Sequence, residues 1–174
     1  MNPSVALNGT IVLGFHTLDA NNSPKNSDAL PTYRVYGPNG YLSVNGTAAL
    51  AGSGTIAGVT AANPAVVTTS ANHNLTTGTR LTIAGVTGTG NITNVNTTAV
   101  ITVLSATTYS VPVDTTGGTY TSGGTWNITG LYRATIEATA AAGFAAGSVY
   151  EIFLNFAVTA VQKTVNPPLT FNVV

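Results

Sequence analysis

The chain has 174 residues, no cysteine, and five basic side chains against five acidic ones. Charged residues are 6% of the total, where an ordinary soluble domain has about 25%, and the mean hydropathy is positive. Without cysteine there are no disulfides, no thiolate metal sites and no thiol nucleophile. Zero net charge, with Lys25, Arg34, Arg80, Arg133 and Lys163 scattered along the chain, argues against a nucleic-acid surface. No stretch approaches the roughly 18 apolar residues of a membrane span.

From the N-terminus, MNPSVALNG has neither a basic region nor an apolar run, so no signal peptide is expected there. In Ile11-Val12-Leu13-Gly14-Phe15-His16, the residues Ile11, Leu13 and Phe15 fall on one face, the period of a half-buried strand. Asp19 to Pro31 is a polar loop dense in turn formers. Tyr33 to Tyr36 reads as a strand. Gly37-Pro38-Asn39-Gly40 predicts a hairpin to Tyr41–Val44, because Pro38 presets φ and Gly40 tolerates positive φ. Asn45-Gly46 is a second hairpin signal.

Residues 55–127 change character. They hold about two thirds of the threonine and only two charges, Arg80 and Asp114. Threonine suits an exposed strand face without carrying charge. Val66–Thr68, Arg80–Ile83, Ala99–Leu104 and Tyr109–Val113 are the predicted strands. TIAGVT occurs twice, from Thr55 and from Thr82; one echo marks two similar strand-turn pieces and not a solenoid.

From residue 128 the first pattern returns. Tyr132, Ala134 and Ile136 alternate with Arg133, Thr135 and Glu137. Ala138 to Gly147 is Ala-rich but interrupted by Gly143, which predicts a crossover with at most one helical turn. Tyr150, Ile152, Leu154, Phe156 and Val158 are predicted core, with Phe153 on the opposite face. Pro167-Pro168 delays a last strand in which Leu169, Phe171 and Val173 face in. The flanks supply about three strands each, too few for either to close a core alone. The predicted fold is therefore all-β: residues 1–54 and 128–174 form one discontinuous antiparallel sandwich, and 55–127 form an inserted small β-domain.

Each candidate for chemistry has a plainer reading beside it. His16 and Asp19 are three apart on a strand, which puts them on opposite faces and disfavours a dyad. His73 opens an Asn-Leu-Thr-Thr-Gly turn and reads as a turn hydrogen-bonder, not a metal ligand. The loop Asp19-Ala20-Asn21-Asn22-Ser23 starts like a calcium loop. It fails the EF-hand pattern, with Pro24 at the glycine position and Leu30 at the bidentate glutamate position. A calcium site of another kind, from Asp19, Asn21 and Asp28, stays open beside a solvated turn. Glu137 and Glu151 would need a shared cleft to act as a glycosidase pair; a surface ion pair of Glu137 with Arg133 is the expectation instead. Trp126 and Phe153 are the candidate partner contacts, with a buried plug and an ordinary exposed aromatic as the respective alternatives. The six Asn-x-Thr sequons (Asn8, Asn45, Asn74, Asn91, Asn96, Asn127) follow from composition and are assigned no glycan. No catalytic residue, cofactor site or metal site is assigned.

Two resemblances bear on function. His73-Asn74-Leu75-Thr76-Thr77-Gly78-Thr79-Arg80-Leu81-Thr82-Ile83-Ala84-Gly85-Val86, then Thr107-Thr108-Tyr109-Ser110, then Thr119-Tyr120-Thr121-Ser122-Gly123-Gly124 resemble a small β-barrel family. It is named after the first catalytic-cysteine half-domain of the ubiquitin-activating enzyme and is found in bacterial and phage proteins. The chain departs from it with His-Asn for His-Gly and Gly-Thr for Gly-Asp, and without cysteine the name implies no ubiquitin chemistry. Gly130, Tyr132 and Ile136, followed by Ala146-Gly147-Ser148-Val149-Tyr150, resemble the G-x-Y-x-x-x-I … A-G-x-x-Y run of immunoglobulin-like modules in phage virions. These resemblances imply a discontinuous Ig-like β-sandwich carrying an inserted small β-barrel. They also imply a structural, non-enzymatic subunit of a tailed-phage virion, first a capsid decoration or cement protein. The expected partners are the major capsid protein or neck and tail subunits, with the chain homo-oligomeric or multicopy, without nucleic acid or membrane. The expected location is the virion, assembled in the host cytoplasm. The low-charge surface fits such packing; the alternatives are a neck, tail or fibre module binding host glycan, and a secreted or surface domain with a Thr/Asn coat.

Overall fold

The computed structural model describes residues 4–164 and 168–174. The strands are β1 (Ser4–Val5), β2 (Thr10–His16), β3 (Thr32–Gly37), β4 (Gly40–Thr47), β5 (Ala49–Leu50), β6 (Ser53–Val59), β7 (Ala65–Thr69) and β8 (Arg80–Thr89). They continue as β9 (Thr98–Val100), β10 (Thr102–Val103), β11 (Thr108–Val111), β12 (Thr119–Ile128), β13 (Leu131–Glu137), β14 (Val149–Val158), β15 (Val161–Thr164) and β16 (Leu169–Val173). The chain divides into two compact units, one running up to Leu50 and resuming at Gly130, the other Ala51–Thr129. The division lies a few residues outside the expected 55–127. The reason is that β6 and β12 pair to their ends, Ser53 opposite Asn127, and Gly52 O accepts from Ile128 N at 2.9 Å.

The first unit has two sheets, ordered β1-β16-β14-β3-β4 and β2-β13-β5, with β15 also on β14. Two sheets closing on one core make this unit a β-sandwich. Its interior is the set that alternation marked: Tyr33, Val35, Tyr132, Ala134, Ile136, Tyr150, Ile152, Leu154, Phe171 and Val173 are buried together. Phe156 is only half-buried and Leu169 is exposed, because both lie where β14 passes from β16 to β15. The sandwich is not wholly antiparallel: β1 runs parallel to β16, Ser4 opposite Asn172.

Tyr150 stands near the start of β14. Its hydroxyl accepts from Ala145 N at 2.7 Å and donates to Gly143 O at 3.5 Å. This is a tyrosine corner, which ties the β13–β14 crossover to the strand it feeds. The crossover has one 3₁₀ turn, Ala140–Ala142, capped by Thr139 and ended by Gly143 at φ 91°.

The hairpin at Pro38-Asn39 forms as expected, with Gly37 opposite Gly40 and Gly40 at φ 107°. Asn45-Gly46 does not turn; both lie inside β4. Glycine is needed there because the Tyr33 ring crosses it, and a Cβ on Gly46 would sit 2.7 Å from the Tyr33 hydroxyl oxygen.

The second unit is one sheet, β10-β11-β7-β6-β12-β8-β9. Its two end strands are consecutive in the chain, separated only by Ile101, so the sheet curls into a nearly closed barrel. The expected strand Ala99–Leu104 is therefore broken: the buried Ile101 turns its amide to Thr79 O at 3.0 Å, and its carbonyl accepts from Gly78 N at 2.9 Å. The two TIAGVT copies flank the same strand. Thr125 of β12 lies opposite Thr55 on one side and Ala84 on the other, and Ile56 and Ile83 both point into the core.

Candidate functional site

Four of the five carboxylates accept hydrogen bonds from within the chain. Asp19 Oδ1 accepts from Asn21 N at 2.8 Å and Ser23 N at 3.1 Å, and these backbone bonds hold its carboxyl below the usual range. Asp28 instead accepts from Thr159 N at 3.1 Å and Ala160 N at 2.6 Å, in the β14–β15 turn. Asp19 and Asp28, two of the three residues of the calcium reading, thus bond amides of different segments. Among the described residues no three His, Asp or Glu side chains gather as a metal site. Glu137 accepts from Thr10 Oγ1 across β2 at 2.8 Å, not from Arg133, so the expected ion pair is replaced by a cross-strand hydroxyl. Glu151 is exposed, opposite Tyr36. His16 is exposed in β2. Among the described residues no helix is long and apolar enough to cross a membrane.

His73 is a turn residue, as its neighbours imply: its Nδ1 accepts from Leu75 N at 3.0 Å. The proton of the neutral ring therefore sits on Nε2, and this atom is buried without a partner. The ring meets Tyr109 edge-on, centroids 5.7 Å apart, and the Tyr109 hydroxyl is also buried and unpartnered. Burial raises the Tyr109 pKa, so this phenol stays protonated. Trp126 is 4% exposed and belongs to the barrel core. It lies over Gly54 directly across β6, where a Cβ would stand 2.9 Å from the indole. Trp126 is therefore not available as a partner contact, because the glycine opposite gives its ring a seat inside the unit.

Phe153 has a different setting. It is half-exposed on the outward face of β14, opposite Arg34. Tyr36, two residues along β3 from Arg34, meets it edge-to-face with centroids 5.0 Å apart. The β3–β4 ladder has a register shift between Arg34 and Tyr36, and an open depression of about 640 Å³ on these strands is lined by Thr32, Arg34, Tyr36, Asn45 and Thr47 among others. Arg34 is exposed. Sequence reading singled out Phe153 but not its companions. The signal was the period of two in Tyr33-Arg34-Val35-Tyr36, which puts Arg34 and Tyr36 together on the face away from Val35.

These features define an all-β protein, a sandwich with an inserted small barrel, in which Tyr36 and Phe153 pair on an outward face beside the exposed Arg34. No protein-family model matches the chain, and no curated protein matches it by sequence.

Proposed function

We propose that this chain is a non-enzymatic structural subunit of a tailed-phage virion, a capsid-associated decoration or cement protein that docks on neighbouring subunits. The observation that carries the docking reading is the outward face of β3 and β14, where Tyr36, Phe153 and Arg34 stand together. Aromatic and arginine side chains dominate the energetics of protein contacts, and charged residues are only 6% of the chain. The virion assignment rests on the resemblances and on that low charge. A neck, tail or fibre module that binds host glycan is the second reading, favoured by the same half-exposed aromatic pair beside the Asn45 amide.

The test is a mass-spectrometric copy count of the chain in purified particles, relative to the major capsid protein, with wild type and Phe153→Ala. A count that follows the capsid lattice, reduced at least about tenfold by the loss of one aromatic hot spot, is the expected result. A low fixed count moves the protein to neck, tail or fibre. Particles without it end the virion reading.

A further inference from the structure

We propose that the open edge of β2 is a self-association surface, on which the β2 of a second copy pairs antiparallel about a twofold axis at Leu13. β2 is the end strand of its sheet, with β13 on one side and, among the described residues, no strand on the other. The ladder with β13 is unbroken from Thr10–Glu137 to Leu131–His16. Just beyond its ends Gly9 O accepts from Ala138 N at 2.9 Å and Thr17 N donates to Gly130 O at 2.8 Å. Backbone groups alternate in direction along a strand, so odd-numbered residues bond β13. The amides and carbonyls of Thr10, Val12, Gly14 and His16 then point to the open side.

Proteins guard such an edge with charge, proline, a bulge or a short strand. β2 has seven residues, reads TIVLGFH, and carries none of these devices. The short β1 and β5 have two residues each, and β4 faces a register shift in β3. β2 is thus a long, regular, uncharged edge left unguarded.

The edge is complementary to itself. With Leu13 on the axis, Val12 pairs with the partner's Gly14 and Thr10 with the partner's His16, each pair exchanging two backbone hydrogen bonds. On the outer face, Val12 is 60% exposed, and the Cβ position of Gly14 has nothing within 4 Å. Each valine therefore has an empty glycine site opposite it. On the inner face Ile11 meets the partner's Phe15, and Leu13 meets its counterpart. Ile11, Leu13 and Phe15 are only half-buried, and Ile11 and Leu13 border an open groove of about 480 Å³ whose wall includes Val5, Ile152 and Phe171. Pairing would cover them. No charge on β2 opposes it, and the valine-on-glycine match selects a second copy over an arbitrary strand. The pairing holds or fails apart from the virion reading.

The experiment is sedimentation equilibrium of the purified full chain over a wide concentration range. A monomer–dimer equilibrium is expected, weakened at least about tenfold by Val12→Lys, since two lysines would face the seam, with an unchanged far-UV spectrum. A nitroxide on His16→Cys, in a chain with no other thiol, supplies the register: six residues separate the labelled position from its partner's, about 20 Å along the strands. A strictly monomeric chain, open-ended oligomers, a dimer untouched by Val12→Lys, or a label distance far from this value would each overturn the proposal.

Discussion

Removing one hydroxyl from the chain should raise its stability, and removing another should lower it. The Tyr109 side chain is fully buried in the barrel, and its hydroxyl bonds nothing. In the unfolded chain that hydroxyl is hydrated, so folding strips its water without compensation, a cost of about 1–3 kcal/mol. Tyr109→Phe keeps the ring and its edge contact with His73 and deletes the cost, so the barrel should gain up to about 1–3 kcal/mol. Tyr150→Phe is the same edit where the hydroxyl accepts from Ala145 N at 2.7 Å. It should cost about 1 kcal/mol, the ordinary net worth of a hydrogen bond. Urea unfolding separates the two effects. Trp126 is the only tryptophan and lies in the barrel core, so its fluorescence follows that unit, while far-UV circular dichroism follows both. With unchanged slopes, the midpoint should rise for Tyr109→Phe in fluorescence and fall for Tyr150→Phe in dichroism. A fall of the barrel midpoint for Tyr109→Phe would refute the reasoning, since it would mean that the hydroxyl has a partner, such as an enclosed water.

Three further outcomes follow from the packing. Gly54→Ala puts a methyl 2.9 Å from the Trp126 indole and should destabilise the barrel by about 1–3 kcal/mol, with a shifted tryptophan emission as the direct readout. Thr159 and Ala160 both hold positive φ, 57° and 58°; since that conformation costs a non-glycine residue roughly 1–2 kcal/mol, Ala160→Gly should stabilise the sandwich by about 1 kcal/mol, read as a higher urea midpoint in far-UV dichroism. Asp114 accepts from Thr116 Oγ1 and N, which holds its carboxyl below its ordinary value of 3.8. Its folded pKa being depressed, it contributes stability that is complete above that value and lost as pH falls through the folded pKa. Asp114→Asn should therefore flatten the acid limb of barrel stability below about pH 4 and leave its shape near neutrality unchanged, as read by Trp126 fluorescence against pH.

The sandwich was legible where one strand carries its own explanation. Tyr132, Ala134 and Ile136 alternate with exposed partners, and a period of two is a local property that needs no neighbour to be read. Asn45-Gly46 misled because its glycine answers to Tyr33 on the next strand and not to a turn. Ala99–Leu104 was read as one strand because nothing local announces that the barrel closes at Ile101. Trp126 offered two readings, contact or core, and only Gly54 opposite it decides for core. Arg34 and Tyr36 were missed as companions of Phe153 because that pairing joins strands more than a hundred residues apart.

By itself the sequence determined the all-β class, the absence of thiol chemistry, the low charge and the in–out faces of β2, β13 and β14. These follow from composition and from the alternation of side chains along an extended chain. Tertiary structure alone decided which strands are neighbours, where the barrel closes, which glycines seat aromatic rings and which edge of β2 stays open. Strand pairing is made by backbone groups that every residue carries alike, so the choice of partner is written in packing across the sheets and not in any one segment.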